Sequence, residues 1–118
     1  MLKAVGHLML AGIFIFGGSS AFLEPGGRVQ KVESAGIPQP KQAVTLNGAI
    51  MVFGGTLLAL GIFPRFAALM LFGSLVPTTF VGHSFWTEEN DASRKAQQTQ
   101  FLKNLGLMGG LLIVLKEG

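Results

Sequence analysis

Long apolar stretches alternate with short polar ones along this chain. Four apolar stretches cover about residues 4–23, 43–62, 65–82 and 99–115. At a rise of 1.5 Å per residue, about 20 helical residues cross the ~30 Å hydrocarbon layer of a bilayer. None of the stretches alternates with a period of two, which argues against the strands of a membrane barrel. The pattern predicts an all-α polytopic membrane protein, a single domain over 1–118 with four transmembrane helices in an up-down antiparallel bundle.

The connections indicate how these helices pack. Phe63-Pro64 joins the second and third spans so tightly that they must form an antiparallel hairpin. In the longer connection, residues 28–35 suit one or two turns on the membrane surface with Val29 and Val32 facing lipid, or an irregular loop. Residues 83–98 carry five charged side chains and predict an aqueous loop. The helix breakers of the longer connection are Pro25-Gly26-Gly27, Gly36, Pro38 and Pro40.

Composition supports a membrane location and narrows the chemistry. Hydrophobic residues make up 49% of the chain and charged residues 13%, whereas a typical soluble domain is about 25% charged. The net charge of +3 comes from Lys and Arg scattered among loops, so we expect no nucleic-acid partner. The chain has no cysteine, which excludes disulfides, thiolate metal sites and thiol chemistry on the chain itself.

Four spans place both termini on one side of the membrane, the terminal side, and both long connections on the other, the loop side. The loop side carries more Lys and Arg, which favours a cytoplasmic loop side, but the orientation stays open. The first span also resembles a signal peptide, with Lys3, an apolar core over 7–18 and the small residues Ser19-Ser20-Ala21. Cleavage would leave three spans and termini on opposite sides, so a retained helix is favoured.

Polar side chains inside the spans concentrate near the loop side, whereas on the terminal side only His7 and Thr56 interrupt the apolar pattern. Hydrocarbon offers such groups no partners, so they either bond between helices or line a pocket. The loop-side groups are Ser19, Ser20, Glu24, Thr45, Asn47, Ser74, Thr78, Thr79, His83, Lys103 and Asn104. Both interpretations stay open, and the pocket would suit a headgroup with two carbonyl-type oxygens.

Lys103 and His83 bear most directly on whether these polar groups bond between helices or line a pocket. Lys103 can snorkel to the surface, or it can turn inward and pair with Glu24. Pro77 removes a backbone hydrogen bond and predicts a kink that lets His83 lean inward, although an interfacial, solvated His83 is the simpler interpretation. His7 and His83 fall on opposite sides of the membrane, so no metal site is predicted.

Small residues at a spacing of four predict close helix packing. Gly106 and Gly110 form a GxxxG pair, and Gly17 with Ala21 and Gly55 with Ala59 have the same spacing. Packing within the bundle is favoured, and a homo-oligomer through Gly106/Gly110 is the alternative.

Several short motifs together resemble the DoxX family, from about Gly6 to Leu115. They are Gly36-Ile37-Pro38-Gln39-Pro40, Gly54-Gly55 with Leu60-Gly61, Pro64-Arg65-Phe66-Ala67-Ala68-Leu69, His83-Ser84-Phe85-Trp86, Phe101-Leu102-Lys103-Asn104-Leu105 and Gly109-Gly110-Leu111-Leu112. The resemblance implies a four-helix protein of the bacterial or archaeal inner (plasma) membrane. It also implies a link to thiosulfate:quinone oxidoreductase, to a complex with superoxide dismutase and a sulfurtransferase, or to resistance toward catechols, quinones and oxidants.

Carried over by position, the resemblance singles out His83, Trp86, Lys103 and Asn104. We therefore expect a non-catalytic or co-catalytic membrane subunit that docks soluble redox enzymes and binds a quinone, with no covalent cofactor and no assigned catalytic residue. In this hypothesis Lys103 and His83 donate hydrogen bonds to the headgroup, and Trp86 closes the mouth by stacking. Supporting polar groups would be Asn104, Asn47, Thr78, Thr79 and Glu24. The alternatives are a small transporter or permeability factor for quinones or catechols, and a scaffold without a ligand.

Overall fold

A computed structural model describes residues 1–24 and 26–118, and within these residues the chain forms five α-helices and no strand. The helices are α1 (Leu2–Leu23), α2 (Gly26–Ser34), α3 (Pro40–Leu60), α4 (Pro64–Pro77) and α5 (Asp91–Glu117). A π-helical turn over Thr78–Gly82 continues α4, and a 3-10 turn over Phe85–Thr87 follows it. The all-α prediction is confirmed. The predicted break at Pro25 lies outside the described residues.

Three of the predicted membrane spans are confirmed by length and hydropathy. They are α1, α3 and the segment Pro64–Thr87, which contains α4 and both turns. Within the described residues, α5 is long enough to cross a bilayer but does not reach the same hydropathy, because its first half is polar and Lys103 and Asn104 lie near its middle. The count of four spans is therefore not confirmed.

The four long helices run antiparallel to their neighbours. Along α1 and α3, Gly18 lies beside Gly48 whereas Ala11 lies beside Gly55, so the two helices point in opposite directions. At the other end of the molecule, Arg65 Nη2 donates to the carbonyl oxygen of Lys116 at 3.2 Å. This bond brings the end of α5 to the start of α4.

Glycines let α1 and α3 approach until their backbones touch. A Cβ atom on Gly48 would lie 2.7 Å from the Gly18 carbonyl oxygen, and a Cβ on Gly18 would lie 2.7 Å from the Gly48 carbonyl oxygen. Gly55 is also tight, since a Cβ there would lie 2.9 Å from Ile15 Cγ1. The GxxxG pair of α5 is looser, since a Cβ on Gly106 would meet nothing within 4 Å and one on Gly110 would meet Leu10 at 3.6 Å. The closest small-residue packing is thus between α1 and α3.

The α3–α4 connection is as short as Phe63-Pro64 predicts. Gly61 caps α3 in the left-handed region with φ 71°, and the amide of Ile62 bonds to the Leu57 carbonyl at 2.9 Å. This is the helix end for which glycine is favoured. Pro64 then occupies the first turn of α4, where its missing N–H costs nothing. The two helices form the predicted hairpin.

α5 begins eight residues before the predicted start of the fourth span. The Asn90 side chain accepts the amides of Ala92 at 2.8 Å and Ser93 at 3.2 Å, which caps the helix in the middle of a polar segment. The predicted aqueous loop over 83–98 is therefore helical from Asp91 onward. The Asn90 cap, and not an apolar run, fixes the start of α5, so the hydrophobic pattern could not locate it.

The hydrophobic core lies toward the terminal side, where side chains of four helices meet. Phe14, Leu58, Leu71 and Leu111 are almost completely buried there, one from each long helix. Ala67 and Ala68 fill the remaining space at the start of α4. Toward the loop side this filled core gives way to polar side chains and an open cavity.

Candidate ligand pocket

A cavity of about 560 Å³ opens on the loop side of the bundle. All five helices contribute to its wall. Apolar side chains make up most of the lining, and polar side chains lie among them. The apolar members include Ile13, Phe14, Val44, Met51, Leu75 and Leu107, and the polar or charged members are Arg28, Lys31, Asn47, Thr78, His83, Gln100, Lys103 and Asn104. The volume lies within the range of about 300–1,000 Å³ that small-molecule pockets occupy.

Asn47 of α3 bonds to two side chains, Ser74 of α4 and Thr78 of the π-helical turn. Its Nδ2 donates to Thr78 Oγ1 at 2.9 Å, and its Oδ1 accepts from Ser74 Oγ at 2.6 Å. The Thr78 hydroxyl in turn donates to the Ser74 carbonyl at 2.9 Å. Each side chain is held by another, so Asn47 and Thr78 present a fixed polar surface to the cavity.

Asn104 of α5 makes a second cross-link to the π-helical turn. Its Nδ2 donates to Thr79 Oγ1 at 3.1 Å, and Thr79 Oγ1 donates to the Leu75 carbonyl at 2.7 Å. Asn104 is 3% exposed and Thr79 is completely buried. Asn104 also lines the cavity, whereas Thr79 lies behind Asn104 and outside the lining. Thr79 therefore positions Asn104 instead of facing the cavity itself.

His83 sits at the end of the π-helical turn and leans inward. Its ring is half-buried and lines the cavity, and Nδ1 lies 2.8 Å from Gln97 Oε1 of α5. The Gln97 oxygen is an acceptor, so Nδ1 carries the proton in this bond. A neutral ring would then leave Nε2 as an acceptor. His83 is therefore partly buried at the cavity and bonded to α5.

The cavity wall carries three basic side chains. Lys31 Nζ donates to the Gly82 carbonyl at 2.7 Å, Arg28 Nη2 to Ser20 Oγ at 3.3 Å, and Lys103 Nζ to Gln100 Oε1 at 2.6 Å. All three partners are uncharged. Arg28 and Lys31 reach the cavity from α2, which therefore covers its loop-side opening.

Of the eight predicted site residues, the structure brings five together at the cavity: His83, Lys103, Asn104, Asn47 and Thr78. The other three lie elsewhere. Thr79 is buried behind Asn104, and Glu24 is exposed at the end of α1. Trp86 is 53% exposed outside the lining.

The predicted Glu24–Lys103 pair does not form. Lys103 donates to Gln100 one turn away, and the Glu24 carbonyl, not its carboxylate, accepts from Arg28 Nη1 at 3.3 Å. Among the described residues, the one ion pair is Arg94 with Asp91. Lys103 can satisfy its ammonium on its own helix near the surface, so an acidic partner is not required.

Trp86 belongs to an aromatic cluster with Phe80, Phe85 and Phe101. Its ring centroid lies 5.3 Å from that of Phe85 and 5.7 Å from that of Phe101, both edge-to-face. Phe80 meets Phe101 in the same way at 5.5 Å. The cluster ties the segment after α4 to α5. In this arrangement Trp86 packs against Phe80, Phe85 and Phe101 and lies outside the cavity lining.

Sequence reasoning missed four polar groups of this region: Arg28 and Lys31 on α2, and Gln97 and Gln100 on α5. Their spacing contained the signal. Arg28, Lys31 and Val32 follow the i, i+3, i+4 pattern of one helix face, and Val32 faces the cavity, not lipid as predicted. Gln97, Gln100 and Asn104 continue a similar stripe on α5.

Comparison with known proteins gives one match. A DoxX family profile matches residues 2–84, which is more than half of the chain and includes α1 to α4 and the π-helical turn. The match does not extend over Phe101-Leu102-Lys103-Asn104-Leu105, on which the resemblance also relied. No curated protein and no solved structure matches. With three apolar spans and this match, the chain belongs to the DoxX family and is a multi-pass membrane protein.

Proposed function

We propose that this protein is a membrane subunit of a quinone-linked oxidoreductase or oxidative-stress system, and that its loop-side cavity holds a quinone-type ring. The observation that carries the proposal is the cavity of about 560 Å³, lined mostly by apolar side chains with hydrogen-bonding groups among them. A quinone ring needs an apolar slot and a donor for each carbonyl oxygen. Lys103 Nζ and Asn104 Nδ2 each donate one hydrogen bond within the protein and keep further N–H groups, which would supply these donors.

The proposal includes α5 as a fourth transmembrane helix. Its 27 residues would measure about 40 Å, which exceeds the ~30 Å hydrocarbon layer. The polar residues before Gln97 would stand in water, and Lys103 would lie about one turn inside the membrane surface, where it can snorkel. Both termini would then lie on the same side of a bacterial or archaeal plasma membrane.

Docking of soluble redox enzymes is the second part of the proposal. The chain has no cysteine, and among its described residues no group of three or more His, Asp or Glu is placed to hold a metal ion. Electron transfer to or from a bound quinone would then depend on a partner. The family's links to oxidoreductase and stress systems support this assignment.

A ligand-free scaffold is a second candidate, because a specific observation favours it. The polar groups near the cavity satisfy one another, and no buried side-chain nitrogen or oxygen among the described residues lacks a hydrogen-bond partner. The Asn47–Ser74–Thr78 and Asn104–Thr79 bonds could serve packing alone. Only ligand binding separates the two candidates.

The test is gentle extraction from native membranes followed by mass spectrometry for bound quinone and for co-purifying proteins. We expect stoichiometric quinone and a redox enzyme in the wild type. Lys103→Met should lose the quinone, and Lys116→Met, on the same helix at the other end, should retain it. A stable bundle that carries neither quinone nor enzyme would reject the proposal and favour the scaffold. A bundle that moves quinones across liposomes without a partner would favour a transporter.

A further inference from the structure

The charge of the cavity wall indicates what kind of molecule enters. Arg28, Lys31 and Lys103 line the cavity, and the chain's six acidic residues are all absent from its lining. The three cations donate only to neutral acceptors: two carbonyls, a hydroxyl and an amide oxygen. Among the described residues, none of the three forms a salt bridge.

These cations come from two helices that are distant in sequence, α2 and α5, and the fold brings them to the wall of one cavity. Like charges brought together repel one another, and an anion between them relieves that repulsion.

The inner wall restricts the rest of the ligand. Phe14, Met51, Leu75 and Leu107 form an apolar surface below the cationic opening. An inorganic anion would leave this surface uncovered, and a neutral ring would leave the cations uncompensated. A molecule that joins an apolar body to one anionic group matches both parts.

We propose that the cavity selects an anionic amphiphilic ring, such as an ionised hydroxyquinone, over a neutral quinone. This inference rests on the proposed function and specifies its ligand class. The anionic oxygen would lie between Lys31 of α2 and Lys103 of α5. The ring would occupy the apolar part, with the remaining N–H group of Asn104 available to its other oxygen atoms.

The experiment compares two rings that differ in charge. The protein in lipid nanodiscs of neutral phosphatidylcholine is titrated calorimetrically at pH 7 with 2-hydroxy-1,4-naphthoquinone, which is ionised at that pH, and with 2-methyl-1,4-naphthoquinone, which is neutral. Heats from empty nanodiscs are subtracted. Because one contact between opposite charges near a protein surface is worth about one decade in affinity, we expect the anionic ring to bind about tenfold more tightly or better.

Substitutions identify the groups responsible. Lys31→Gln and Arg28→Gln, both on the exposed α2, should each weaken binding of the anionic ring by about three- to tenfold and leave the neutral ring unchanged. Lys95→Gln is the matched control, since Lys95 is a lysine on α5 outside the cavity lining. It should change neither affinity.

The outcomes separate the inference from the function on which it rests. Tighter binding of the neutral ring would overturn the inference and leave quinone binding standing. Equal binding of a fatty acid or of phosphatidylglycerol would support an anionic amphiphile and reject the ring, and with it the proposed function. No binding of any of these molecules would overturn both.

Discussion

The terminal side and the loop side of this bundle differ in the side chains that lie between the helices. On the terminal side, Phe14, Leu58, Leu71 and Leu111 fill the space between the four long helices. On the loop side, polar side chains cross-link the same helices and a cavity remains between them. At any one level, the helices of a bundle are either closely packed or separated by a pocket. The comparison teaches that the packed terminal side holds the helices together while the loop side keeps space for the cavity.

The largest effect should come from removing a core side chain on the terminal side. Leu71 is 0% exposed, and we expect Leu71→Ala to lower the free energy of unfolding by about 2–5 kcal/mol because it leaves a cavity. Leu69, two residues away and 56% exposed toward lipid, is the control, and Leu69→Ala should change stability far less. Denaturant unfolding in mixed micelles measures both. Similar losses for the two variants would mean that the terminal side is not the rigid part.

A smaller effect should follow from separating α1 and α3. A Cβ on Gly48 would lie 2.7 Å from the Gly18 carbonyl oxygen, so we expect Gly48→Ala to cost about 1–3 kcal/mol of stability through overpacking. The control is Gly109→Ala, since a Cβ there meets nothing within 4 Å. The same unfolding assay compares the two variants. If the Gly48→Ala variant were as stable as the Gly109→Ala variant, the backbones of α1 and α3 would not approach each other as closely as described.

The smallest effect should come from the loop-side cross-links. A double-mutant cycle with Asn104→Leu and Thr79→Val should give a coupling energy of about 0.6 kcal/mol, the usual value for a hydrogen bond between membrane helices. Each single variant should keep the bundle folded, because the terminal-side core is untouched. A coupling energy as large as the stability lost in Leu71→Ala would show that the loop-side hydrogen bonds stabilise the bundle as much as the terminal-side core does.

Hydrophobic periodicity revealed most of the fold, and its errors have local causes. The ends of α1 and the α3–α4 hairpin were predictable because apolar runs and Phe63-Pro64 mark them directly. The start of α5 was not, since it depends on the Asn90 cap inside a polar segment. The start of α3 at Pro40 likewise precedes the apolar run by three residues.

The cavity was predictable only where its lining interrupts an apolar span. Asn47, Thr78 and Asn104 are conspicuous because hydrocarbon gives polar groups no partners. Arg28 and Lys31 lie in a segment where charges are expected, so nothing distinguished them before the fold placed α2 over the cavity. The aromatic cluster around Trp86 was not predictable for a related reason. Whether an interfacial aromatic residue faces a pocket or packs against other rings depends on neighbours such as Phe101, which is distant in sequence.

The π-helical turn over Thr78–Gly82 decides where a change of chain length can be absorbed before His83. A π turn accommodates one residue more than an α turn would. Deleting one residue inside it would restore ordinary α-helix and leave His83 on the same face, because an α turn rotates further per residue than a π turn. Deleting one residue earlier, within α4, would instead rotate everything after it by about 100° around the helix axis. His83 would then turn away from Gln97, and the Gly82 carbonyl away from Lys31. Among relatives of this chain, a one-residue gap within the π turn would therefore be compatible with this cavity wall, whereas the same gap within α4 would mark its loss.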